Sequence, residues 1–196
     1  MTYSANRYRF LLLILLTLLG YILPWVHHST TALSMGAFDL AEWTSLHPTA
    51  RVGAVPFLAV LLLRLPLVLI ALIAALAPFP RLVRFVAVTL FAISLLPPFE
   101  FFLTGLSDPN YRQQFLLSLI TLILGTLAIL YCPGRWRRTL LIGLVIVMLL
   151  SSIIGLLIAM RYLTGFGLHM VIGPGAVLIS LLGLIAVTLL LRKQTG

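Results

Sequence analysis

FLLSLITLILGTLAILY occupies residues 115–131, CPGRWRR follows at 132–138, and LLIGLVIVMLLSSIIGLLIAM fills 140–160. Each apolar run is close to the ~20 residues that an α-helix needs to cross the hydrocarbon of a bilayer. Pro133-Gly134 between them is a turn signal, and Arg135, Arg137 and Arg138 crowd into the short connection. Two apolar helices joined by a basic turn form the pattern of a membrane hairpin whose turn lies in the cytoplasm.

The pattern repeats in both directions along the chain. Further apolar segments run from Phe10 to Val26, within Val55 to Phe79, from Leu82 to about Leu103, and from about Val171 to Leu191, making six in all. Nine of the thirteen basic residues (Arg7, Arg9, Arg81, Arg84, Arg135, Arg137, Arg138, Arg192, Lys193) fall at one end of these segments. Arg51, Arg112 and Arg161 fall at the other end, together with all four acidic residues and all four histidines, while Arg64 lies inside a segment. The bias puts both termini in the cytoplasm. The expectation is an all-α integral membrane protein, a single transmembrane domain over residues 1–196 built as a six-helix bundle in a bacterial-type cytoplasmic membrane. Short connections make successive helices antiparallel neighbours.

Composition agrees with that class. The chain is 62% hydrophobic and only 9% charged, where soluble domains carry roughly 25% charged residues. A net charge of +9 could suggest nucleic acid, but the bases sit in clusters beside apolar spans, without a stripe of interleaved aromatics. Topology explains them, and the expected partners are the lipid bilayer and other membrane subunits, not nucleic acid. The single cysteine, Cys132, excludes an intrachain disulfide and fits no metal-ligand spacing. Arg7, Arg9 and the apolar run after them resemble a secretory signal. The run is long for one, and Thr30-x-Ala32 is a weak cleavage site, so an uncleaved first helix is expected.

The longest stretch between spans is His27 to Arg51. Within it, Gly36 to Leu46 has the make-up of a short helix stopped by Pro48, with Phe38 and Trp43 suited to the headgroup level. An interfacial helix in the first outer loop is expected there. Small residues at four-residue spacing let helix backbones approach closely. Ser151, Gly155 and Ala159 place three in one row, the strongest such helix-packing signal in the chain.

Arg64 is the most costly residue, since an arginine at the centre of a membrane helix costs ~2.5–3.5 kcal/mol on insertion scales. Glu100 is the only carboxylate within a drawn span. If the second and third spans form a hairpin about residue 82, Arg64 and Glu100 stand level, so they are the expected ion pair and candidate ligand site. Pro66 and Pro97-Pro98 would break both helices beside those charges, an arrangement that transporters use for substrate sites. The structural alternative is a plain stabilising pair, or an arginine snorkelling outward.

His27, His28, His47 and His169, with Asp39, Glu42 and Asp108, form a weaker candidate set for a divalent metal on the outer face. A juxtamembrane histidine holding haem or a pigment is a further alternative, and no cofactor is assigned. The spacings match no zinc motif, and solvated interfacial histidines are the simpler reading. Gly165-x-Gly167 and Gly173-Pro174-Gly175 do not read as a dinucleotide loop, because no strand is expected before them and the surroundings read as membrane. They suit a tight entry into the last helix. HExxH, GxSxG and a carboxylate pair for acid–base work are missing from the sequence, so an enzyme is not expected. The sequence favours a non-catalytic integral subunit or scaffold of a larger membrane complex. The alternative is a small-solute transporter, or the substrate-binding membrane component of one, with its site in the outer half of the bundle.

Overall fold

Prolines stand at the first position of helices beginning at Pro48, Pro109 and Pro174. In the computed structural model, residues 2–29, 32–52, 57–103 and 107–192 are described. The helices are α1 (Thr2–Ile22), α2 (Ala37–Ser45), α3 (Pro48–Val52), α4 (Leu58–Ala75), α5 (Arg81–Ser94), α6 (Glu100–Leu103), α7 (Pro109–Tyr131), α8 (Gly134–Gly165) and α9 (Pro174–Arg192). Three short strands, β1 (Val26–His28), β2 (Ser34–Met35) and β3 (Met170–Ile172), complete the order. Of the helices, α4, α7 and α8 are long and apolar enough to cross a membrane. Phe10–Ile22 of α1 and Pro174–Leu189 of α9 are shorter apolar segments. In α8, the 139–160 stretch between Arg138 and Arg161 carries no charge. At 1.5 Å per residue it is ~33 Å long, close to the ~30 Å hydrocarbon thickness.

The chain divides into two compact units, Met1–Ile14 with Leu67–Leu144, and Leu15–Pro66 with Val145–Gly196. In the first unit, α5 packs on α7. Ser118 Oγ donates to Ala92 O at 2.6 Å and Gln114 Nε2 donates to Leu96 O at 3.4 Å. One residue number rises as its partner falls, so the two helices run antiparallel. Ala75, Val88 and Ile129 form a buried cluster, with Phe85 and Ala128 against it. The Phe101 ring meets Phe102 and Tyr111 edge to face and Phe115 at a tilt, with centroids 5.4, 6.0 and 6.4 Å away. Asp108 caps α7 by accepting Asn110 N at 2.8 Å and Tyr111 N at 3.2 Å. Pro109 at the first helical position has no N–H to leave unsatisfied.

The segment read as a third span from Leu82 to Leu103 is not one helix. The α5 helix stops at Ser94, and α6 restarts at Glu100 beyond Pro97-Pro98. A proline disfavours α-conformation in the residue before it and cannot donate to the helix ladder, so two in succession interrupt it. Pro66 behaves differently, lying inside α4, which runs through it from Leu58 to Ala75.

In the second unit, α1 ends at Ile22 just before Pro24, and the chain enters β1. This strand is the centre of an antiparallel sheet in the order β2-β1-β3. The register is Val26 opposite Met35 and Ile172, His27 opposite Ser34 and Val171, and His28 opposite Met170. These strands depart from the all-helical expectation, and β3 runs directly into Gly173-Pro174-Gly175, where the sequence reading has no strand. Gly173 N donates to Trp25 O at 2.7 Å and Gly175 N to Pro24 O at 2.9 Å, extending the backbone contact past the sheet. A Cβ on Gly173 would lie 2.3 Å from Pro24 O, and one on Gly175 would lie 2.4 Å from Leu23 O. Only glycine permits that approach. Trp25 is fully buried beside it and donates Nε1–H to Gly20 O at 2.9 Å, the partner that a buried indole needs.

The Ser151, Gly155 and Ala159 row is buried. At Gly155 an added Cβ would meet Leu62 Cβ at 3.0 Å and Leu63 N at 3.2 Å, so the backbones of α8 and α4 are in close contact there. Where lipid is as apolar as leucine, this van der Waals approach is what drives helices together.

Candidate functional site

The site begins in α2, whose outline is written in its residues. Gly36 is the N-cap, and its N–H reaches Asp39 Oδ2 at 3.4 Å. Ala37, Leu40, Ala41 and Thr44 form the buried stripe, at the 3- and 4-residue steps of an amphipathic helix. Thr44 Oγ1 donates to Leu40 O at 2.6 Å, and Arg51 Nε from α3 donates to Ser45 O at 3.1 Å, closing the C-terminal end. The chain does not simply stop at Pro48, which begins α3 as a first-turn proline.

Phe38 and Glu42 are one turn apart on α2, so they share a face. Both address Arg64 of α4. Arg64 Nη2 donates to Glu42 Oε1 in a salt bridge, and its guanidinium carbon lies 5.6 Å from the centre of the Phe38 ring. Arg64 is fully buried, whereas the Glu42 side chain is 33% exposed. The arrangement combines a charge-assisted hydrogen bond with a cation–π contact, and it offsets the cost of a guanidinium in apolar surroundings. Next to Arg64, Leu63 O accepts the hydroxyl of Tyr21 at 3.2 Å, a second tie to α4 from the same unit. Tyr21 and Trp25 meet edge to face at 6.2 Å.

Arg64 was expected to pair with Glu100. The carboxylate found on it is Glu42, and Glu100 opens α6 as an exposed residue of the other unit. The matched-height argument assumed an unbroken helix up to residue 100, but α5 ends at Ser94. The sequence reading places Glu42 only in the outer-face metal set. The available signal was its spacing from Phe38 on a helix that could fold back over the second span.

The remaining candidates are dispersed. His27 is exposed and His28 half-buried on β1, where successive side chains point to opposite faces. His47 lies between α2 and α3, stacked on Tyr162 at 4.9 Å and edge-on to Phe166 at 4.5 Å. Its Nδ1 accepts Thr49 N–H at 3.2 Å. Asp39 sits in the first turn of α2, Asp108 caps α7, and His169 is exposed just before β3. Among the described residues, no three His, Cys, Asp or Glu side chains converge as a metal-binding group.

A predominantly helical chain with three helices, among the described residues, long and apolar enough to cross a bilayer fits the class of α-helical membrane proteins. It matches no protein-family model, no curated protein and no solved structure.

Proposed function

We propose that this chain is a non-catalytic integral membrane subunit of a larger complex, crossing the membrane six times with both termini in the cytoplasm. The observation that carries the reading is the use made of Arg64. Arg64, the charge embedded in α4, is fully buried and paired with Glu42, which holds α2 against α4. A solute site built on Arg64 needs a reachable guanidinium, and Glu42 and Phe38 cover this one. The face of α2 away from its buried stripe presents Trp43, and Leu46 and Val52 continue the exposed apolar surface into α3. An apolar patch on a fixed helix suits docking of another membrane subunit.

The six-span topology rests on the nine-to-three bias of basic residues. The α5 helix is the weak member: its 14 residues give ~21 Å of rise. Crossing there draws on the 95–103 stretch as well, or on local thinning of the bilayer.

Purification of the tagged chain in mild detergent tests the function. Membrane partners should co-migrate at fixed stoichiometry, and the Trp43→Ser/Leu46→Ser variant should lose them while folding normally. A monodisperse chain without partners, which by itself moves a solute across proteoliposomes, would overturn the reading in favour of a transporter.

A further inference from the structure

The C-terminal end of α4 carries a second concentration of charge, of the opposite character to the Arg64 site. Ala75 and Leu76 leave carbonyls there that no further turn of helix satisfies. Arg84 of α5 donates Nη1–H to Ala75 O at 3.1 Å, and Arg137 of α8 donates Nε–H to Leu76 O. Two guanidiniums are therefore anchored on adjacent carbonyls. Arg84 feels the positive charges of both Arg137 and Arg81. The helix terminus supplies about half a negative charge in compensation, which does not balance three cations. The sequence contains no carboxylate at residues 43–99 or 109–196, so neither α5, α7 nor α8 can supply one. Arg137 binds Leu76 O through Nε, a bond that does not use the N–H groups of its two terminal nitrogens.

Beside this cluster runs an apolar groove of about 330 Å³, lined by Leu127, Ala128, Tyr131, Pro133, Trp136 and Leu140. The two features are contiguous. Ala128 packs against the Ala75–Val88–Ile129 cluster at the end of α4, and Trp136 immediately precedes Arg137. Tyr131 and Trp136 are both exposed, and such amphipathic rings favour the headgroup level of a bilayer. A site with unneutralised guanidiniums at one end and an open apolar trough at the other complements a molecule with an anionic head and a hydrocarbon tail.

We propose that this end of the first unit binds an anionic phospholipid, with its phosphate over Arg84, Arg137 and Arg81 and an acyl chain along the Leu127–Trp136 groove. Basic pockets between membrane helices bind anionic headgroups in this way, and the planar guanidinium fork matches phosphate oxygens. The inference goes beyond the function proposed above and does not depend on any partner subunit.

The test is thermal unfolding of the full-length chain in detergent, titrated with phosphatidylglycerol, with phosphatidylcholine, and with glycerophosphate or inorganic phosphate lacking acyl chains. Phosphatidylglycerol should raise Tm in a saturable manner by about 5 °C or more, well above the other additions. Arg81→Gln, at an exposed position, should weaken the shift, and Arg84→Gln/Arg137→Gln should remove it. Leu127→Trp should fill the groove and reduce the phosphatidylglycerol shift with every arginine in place. If the double arginine variant does not fold, the Arg81→Gln and Leu127→Trp arms still decide the matter. Equal shifts with phosphatidylglycerol and phosphatidylcholine would overturn the proposal. So would an equal shift with glycerophosphate or phosphate alone, which would define a free-anion site, or a full shift retained in both the Arg81→Gln and Leu127→Trp variants.

Discussion

Removing Glu42 should harm the protein mainly through what it does to Arg64. In Glu42→Ala, the fully buried guanidinium loses its carboxylate but keeps the Phe38 ring at 5.6 Å. Breaking a fully buried ion pair costs about 3–5 kcal/mol. The Glu42 side chain is a third exposed, so solvent screens part of the interaction. A hydrogen bond to a charged group lies at about 1.5–3 kcal/mol, and a loss of about 2–3 kcal/mol is expected here. For a chain of this size that corresponds to a fall in Tm of about 4–12 °C. Arg64→Leu removes the charge that needed a partner and should cost less than Glu42→Ala. The double variant Glu42→Ala/Arg64→Leu should resemble Arg64→Leu alone. The coupling from this cycle, read from reversible unfolding in detergent, should be at least 1 kcal/mol, above the ~0.3–0.5 kcal/mol additivity error of independent sites. Coupling within that error would refute the argument, and coupling of Arg64 to Glu100 in a parallel cycle would show that the wrong carboxylate had been assigned.

Three further outcomes are expected. Gly155→Leu places a side chain where a Cβ already sits 3.0 Å from Leu62 Cβ and 3.1 Å from Leu62 C, so overpacking should cost about 1–3 kcal/mol in detergent stability; unchanged Tm would mean that α8 and α4 do not meet there. Gly173→Ala sets a methyl 2.3 Å from Pro24 O, a backbone atom that cannot rotate away. It should lower Tm and red-shift the emission of buried Trp25 when Trp43 and Trp136 are replaced by Phe, whereas an unshifted spectrum would contradict the close approach. Cysteine labelling of intact cells should mark an introduced Asp39→Cys or Asp108→Cys from outside, and Arg137→Cys only after permeabilisation; external labelling of position 137 would reverse the proposed topology.

What could be read from the sequence depended on whether the determining chemistry was local. The α2 helix was legible because its ends are marked by residues, Gly36 and Pro48, and its buried stripe keeps helical spacing. The apolar lengths of α4, α7 and α8 were legible for the same reason. The strands were not: β1 and β3 have three residues each, too few for a two-residue alternation to stand out. Pro97-Pro98 were visible, but the apolar residues around them hid the fact that α5 had already ended. The partner of Arg64 depended on a tertiary event, the folding of the 36–46 helix back onto the second span. Hairpin arithmetic between sequence neighbours has no access to that.

The place of β1 in its sheet also bears on how the protein is made. This strand is central, with β2 only a few residues away and β3 on the far side of almost the entire chain. A ribosome delivers β1 and β2 early, and the hairpin can close while translation continues. The other edge of β1, with the carbonyls of Pro24 and Trp25, must then wait, unpaired, until Met170–Gly175 emerges. Long-range pairing of this kind is slow to close, and an open strand edge is a site where chains adhere to one another. The sheet is thus completed only when β3 and Gly175 have emerged, and a chain cut short after α8 would keep one edge of β1 unpaired, exposing it to aggregation or removal.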